Sequence, residues 1–119
     1  MNQEELKPRT KPFGIRTIWL IDSLPKTKIA NVISNQMLRS ATSVGANYRV
    51  PCRGRPKTEF VAKVGISIEE ADEILYQLEV LEEVELVKKE RFADLMQEAY
   101  EIVAILTATV TTSRKNMRS

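Results

Sequence analysis

From Phe60 to Leu81 the apolar residues Phe60, Val64, Ile68, Ala71, Ile74, Leu75, Leu78 and Leu81 return every three or four positions. The period holds for about six helical turns. A stripe of that length needs an equally long partner to bury it, so the chain should contain further helices rather than a sheet of short strands. From about Glu90 to Thr112, Phe92, Leu95, Met96, Ala99, Ile102, Val103, Leu106 and Val110 repeat the pattern. From Lys26 to about Val50, Ile29, Val32, Ile33, Met37, Ala41, Val44 and Tyr48 form one broad stripe. A shorter set, Ile15, Ile18, Trp19 and Ile21, fits a helix from Phe13 to Leu24-Pro25, where proline disfavours a helical residue before it. Trp19 is expected to be a core or interface anchor.

The punctuation agrees. Four Gly and five Pro in 119 residues leave little material for turns. Pro51 should stop or kink the second helix, Cys52-Arg53-Gly54-Arg55 reads as a loop, and Pro56 suits the first position of the third helix. A turn follows from Glu85 to Lys89. The expected fold is all-α, an antiparallel up-down four-helix bundle over residues 13–113, with three-helix packing as the fallback. Residues 1–12, where Pro8 and Pro12 bracket basic residues, are expected to be a disordered tail, and residues 114–119 a basic one. The length suits a single domain.

Histidine is absent. That removes the commonest general base and the commonest transition-metal ligand together, and with them Ser-His-Asp and Cys-His catalysis. Glu69, Asp72 and Glu73 sit at helical spacings that could chelate an ion, but bundle metal sites normally add histidine, so no metal or other cofactor is expected. Neither a phosphate loop nor a nucleophile motif is present, which argues against an enzyme. The single Cys52 cannot close an internal disulfide, and a reducing, cytoplasmic setting is expected. The longest uncharged, apolar-leaning run, Ile102 to Ser113, falls well short of the roughly 20 residues of a membrane span, so no membrane association is expected.

The net charge of +2 conceals a large separation of sign. Residues 1–58 sum to +8, residues 59–101 to −9 and residues 102–119 to +3, and no acid occurs between Asp22 and Glu59. On the wheel of the second helix, Lys28, Asn35, Arg39, Arg49 and Arg53 fall on one side, roughly opposite the apolar stripe. With Arg55 and Lys57 they form a cationic track of the kind that contacts a phosphate backbone. A solvated face, or an interface with the acidic third helix of another subunit, explains the same cations and is the commoner situation. No aromatic residue interleaves them, which disfavours a base-stacking single-strand platform.

Three residues call for structural readings first. Gly45 costs about 1 kcal/mol in mid-helix and is expected to mark a close helix crossing. Asn47 beside it could contact RNA or another subunit, but a polar residue inside a helix more often has a structural partner. Tyr76 and Tyr100 are expected to pack with their polar tips outward.

Met37-Leu38-Arg39-Ser40-Ala41-Thr42-Ser43-Val44-Gly45-Ala46-Asn47-Tyr48-Arg49, then Glu59-Phe60-Val61-Ala62-Lys63-Val64-Gly65-Ile66, then Glu69-Glu70-Ala71-Asp72-Glu73-Ile74-Leu75-Tyr76-Gln77-Leu78 occur in this order. Together these blocks resemble the four-helix-bundle family named for proteins encoded in intervening sequences of bacterial 23S rRNA genes. The likeness extends roughly from Phe13 to Ser113. It implies an up-down bundle assembling into a ring-like homopentamer, with no established enzymatic activity. Accessory proteins of diversity-generating retroelements are similar and bind nucleic acid and a reverse transcriptase. The chain departs from the family pattern at Pro51-Cys52, where a small or acidic pair is usual, at Gln77, where Trp is common, and at Glu85, where Gly usually ends the third helix.

Two functions follow as expectations. One is a non-enzymatic oligomeric bundle that attracts RNA or DNA to the Lys28, Arg39, Arg49, Arg53, Arg55 and Lys57 track. The other is a protein–protein scaffold whose basic and acidic faces pair between subunits with no nucleic acid bound.

Overall fold

The computed structural model describes residues 3–49 and 57–118, with the side chains of residues 9–48 and 57–116. Four helices make up the described chain: α1 (Gln3–Asp22), α2 (Lys28–Arg49), α3 (Lys57–Glu83) and α4 (Lys89–Arg118). α1 packs on α2, α2 on α3 and α3 on α4, while α4 returns to α1 along the lightest of the four seams. The cross-contacts run in opposite senses. Gly14 meets Ala41 while Gly45 meets Thr10, and Gln36 meets Gln77 while Val44 meets Ser67. α1 and α2, and α2 and α3, therefore run in opposite directions, in a bundle measuring 50 × 21 × 20 Å.

Local chemistry sets the helix ends. Thr27 caps α2, its hydroxyl accepting from the Ala30 backbone N–H at 3.2 Å. At the end of α3 the Leu86 N–H donates to Leu81 O at 3.1 Å and the Glu85 N–H to Glu82 O at 3.0 Å. This is a Schellman closure, and it places Glu85 in the left-handed region at φ 60°. A glycine would take that conformation without strain. Val87, just beyond, is buried and ties the turn to the core.

The core contains every apolar position expected on α3, with Ile68 partly buried, and those expected on α4, with Met96 and Val103 partly buried. α1 differs. Its buried face is Phe13, Thr17 and Leu20, followed by Leu24 beyond the helix, whereas Ile15 and Trp19 are exposed. Thr17 is admitted because its hydroxyl donates to Phe13 O at 2.8 Å. Trp19, 71% exposed, is not a core anchor. On α2 the expected stripe is too wide: Met37, Ala41, Val44 and Tyr48 are buried together with Ala30 and Ser40, but Ile29 and Val32 lie in the open.

Both expected tails are largely helical. α1 begins at Gln3, so Pro8 and Pro12 lie inside it, each removing a backbone hydrogen bond. Tertiary contacts offset that loss. Arg9 donates to Glu98 of α4 at 2.9 Å and to Glu101 at 3.3 Å, and Thr10 is buried against Gly45 of α2. At the other end α4 continues to Arg118. Tyr100 bridges to α3, its hydroxyl 3.3 Å from Glu79, whereas Tyr76 is exposed rather than packed.

Candidate nucleic-acid interface

The outward side of α2 follows from its buried side. With Met37, Ala41, Val44 and Tyr48 turned inward, Lys28, Asn35 and Arg39 point away from the core, and all three are exposed. α2 contains no carboxylate of its own. Among the described side chains, the carboxylate within ion-pair reach of its cations is Glu73 of α3, whose Oε1 lies 3.9 Å from an Arg39 guanidinium nitrogen while the Arg39 side chain remains 70% exposed. A pair this long and this open is worth a fraction of a kcal/mol, about what screening leaves of any surface pair, and it leaves Arg39 available. Arg49 is the last residue of α2, and Lys57, exposed, is the first of α3. The Arg49 side chain and all of Arg53 and Arg55 lie outside the described residues.

Beside the track, α2 meets α3 along a polar seam. Gln77, 4% exposed, donates to Gln36 Oε1 at 3.2 Å and approaches Glu73 Oε1 at 3.5 Å. Ser67 donates to Val44 O at 2.8 Å. Gln77 thus reaches α2 through its amide nitrogen, while its Oε1 is buried without a hydrogen-bond partner. Asn47 donates to Ser43 O and Oγ, both at 2.9 Å, so its amide is engaged within its own helix.

Gly45 faces α1 with room to spare: a β-carbon there would meet Thr10 at 3.8 Å, an ordinary contact. The tight point of the crossing is Gly14, where a β-carbon would come within 2.6 Å of the Ala41 carbonyl oxygen. The small residues of α2 do admit a neighbouring backbone, but the glycine the approach requires is on α1.

Two of the cavities in the described structure have several polar or charged side chains in their walls. One, about 390 Å³, opens at the α1–α2 turn and is lined by Lys26, Asn31, Ser34 and Asn35, with Asp22 on its rim, so the track begins beside a polar hollow. The other, about 310 Å³, lies between α1 and the first turns of α4 and is lined by Arg16, Trp19, Ser23, Glu90, Arg91 and Asp94. The i,i+3 spacing of Arg16 and Trp19 is visible in sequence, but the first turn of α4 reaches them only through the fold.

Arg9, by contrast, has a structural role. The Glu98 hydrogen bond and the charges of Glu98 and Glu101 raise the Arg9 pKa against the opposing effect of burial, fixing it as a cation that clasps α1 to α4. Among the described residues no cluster of acids and thiols is disposed to hold a metal ion, Glu69, Asp72 and Glu73 included. No described helix is long and apolar enough to cross a membrane.

Residues 9–108 match the family model described as 23S rRNA-intervening sequence protein, and the chain belongs to that family. Among solved structures it is similar to a protein of unknown function from the S23 ribosomal protein family of Bacteroides thetaiotaomicron. The two share 30% identity and a TM-score of 0.81, over 88% of this chain and 97% of that one. No curated protein matches the chain.

Proposed function

We propose that this protein is a non-enzymatic, cytoplasmic helical bundle that assembles with copies of itself and associates with RNA or DNA through the outward face of α2. The observation that carries this reading is the exposed face from Lys28 through Asn35 to Arg39 on a helix with no acid. Its sequence continuation, Arg49, Arg53, Arg55 and Lys57, adds four cations and no anion. A surface of one sign lowers the free energy of a phosphate backbone by displacing its condensed counterions, and needs no catalytic group. Membership of a family described by 23S rRNA favours RNA as the first ligand to try. Self-assembly is supported by Ile15, Ile29, Val32 and Leu38, exposed apolar residues on α1 and α2 that a second copy would cover.

A second reading has its own support. Arg39 already approaches Glu73, and Ile29 and Val32 stand among the cations, as in an interface that joins basic α2 to acidic α3 of a neighbour. Replacing Arg39, Arg49 and Arg53 together by Glu separates the two. On the nucleic-acid reading, mobility-shift binding of 23S rRNA fragments disappears while the oligomer mass in light scattering is unchanged. If the variant instead falls apart into monomers, the cations belong to a subunit interface and the scaffold reading replaces this one.

A further inference from the structure

Among the described residues Trp19 is the most exposed of the large apolar side chains, on a helix whose Phe13 and Leu20 are buried. It lies at the cavity of about 310 Å³ between α1 and α4, backed by buried Leu20 and Leu95 and ringed by Arg16, Glu90, Arg91 and Asp94. These four charged groups are of both signs, yet among the described residues none makes an ion pair or a side-chain hydrogen bond. An aromatic face, two free guanidiniums and two free carboxylates thus converge on one hollow. Two carboxylates would repel a bare phosphate, and two guanidiniums would repel a cation. The cavity suits a ligand that is anionic at one end and a hydrogen-bond donor at the other.

We propose that this cavity binds an unpaired, amino-bearing nucleobase, stacked on the Trp19 indole, with Arg16 and Arg91 receiving the attached phosphate and Glu90 and Asp94 accepting from the amino group. Stacking on an aromatic face tolerates any base. Ionised carboxylates accept hydrogen bonds only, so they favour cytosine, adenine or guanine, whose amino groups donate, over uracil, which presents a carbonyl at the position where cytosine has its amino group. The site shares no residue with the α2 track and adds base contact to backbone attraction. It rests on the nucleic-acid reading only for the source of the base, since a free nucleotide offers the same chemistry.

Trp19 is the single tryptophan, so its fluorescence reports on this cavity alone. Cytidine monophosphate, hexacytidylate and hexauridylate are each titrated into the full chain and into the Arg39→Glu, Arg49→Glu, Arg53→Glu variant. Saturable quenching by hexacytidylate, weaker with hexauridylate, is expected, and whether the strand or the monophosphate saturates first identifies the source. In Trp19→Ala, anisotropy of labelled hexacytidylate should show binding weaker by about five- to a hundredfold, with Trp19→Phe recovering most of it. Asp94→Asn should narrow the preference for cytosine. Quenching that persists in the α2 variant supports the cavity whatever becomes of the track. Loss of rRNA binding in that variant with Trp19 emission never responding leaves the track standing and overturns this proposal. Emission that changes only on diluting the protein, with no response to nucleotides, assigns Trp19 to a contact between copies and overturns it too.

Discussion

Gly14 and Gly45 both lie in the α1–α2 crossing, and their substitutions should have opposite consequences. A methyl at Gly14 would sit 2.6 Å from the Ala41 carbonyl oxygen, a backbone atom that moves only if a helix moves. Gly14→Ala should therefore cost about 1 to 3 kcal/mol, as overpacking does. Gly45→Ala meets Thr10 at 3.8 Å and should be neutral or raise stability by up to about 1 kcal/mol through helix propensity. Chemical denaturation of the two variants checks both signs. Glu85 supplies a third test, since its φ of 60° strains any residue with a β-carbon. Glu85→Gly should stabilise the chain by about 1 kcal/mol in the same assay. An unchanged midpoint would mean that the closure after α3 relaxes without cost.

Among the elements, α3 and α4 were legible in the sequence because their core positions are apolar throughout and nothing interrupts the period. α1 was not, for two physical reasons. Its buried face includes Thr17, whose polarity is cancelled by a hydrogen bond to its own helix, so the pattern of apolar residues alone pointed to the exposed Ile15 and Trp19. Its first turns contain two prolines, and contacts of Arg9 and Thr10 with helices distant in sequence support that stretch. α2 was legible in its inner half, whereas Ile29 and Val32 show that an apolar residue beside a stripe need not be covered within one chain. Of the candidate site, the exposure of Lys28, Asn35 and Arg39 followed from the wheel. The Trp19 cavity did not, because two of its walls come from helices far apart in sequence. The dependence of α1 on α4 is testable. Arg9→Ala removes a pair of groups each less than a quarter exposed to Glu98 and should cost about 1 kcal/mol. Amide hydrogen exchange should accelerate in residues 3–12 and stay unchanged in α3. Equal exchange of residues 3–12 in Arg9→Ala and in the unaltered protein would remove the clasp.

At the scale of the whole molecule, the bundle separates charge as well as burying apolar surface. Basic α2 and acidic α3 lie side by side over a shared apolar core, and among the described residues the pair of opposite charge between them, Arg39 and Glu73, stands 3.9 Å apart. A molecule so divided presents one face to a polyanion and another that repels it, which orients an approaching nucleic acid. Exposed apolar residues on α1 and α2 lead us to expect an oligomer, a pentamer by family likeness. Light scattering at tens of micromolar should return a multiple of the chain mass, and a strict monomer would contradict the assembly. The central claim is that the cations of α2 and its continuation contact phosphate, and it is tested most directly by the affinity for a 23S rRNA fragment measured across a range of salt concentrations. If Lys28, Arg39, Arg49, Arg53, Arg55 and Lys57 each neutralise one phosphate, log affinity should fall against log salt with a slope of about −4 to −5 per chain engaged. A slope near zero, or no binding at low salt, would contradict it.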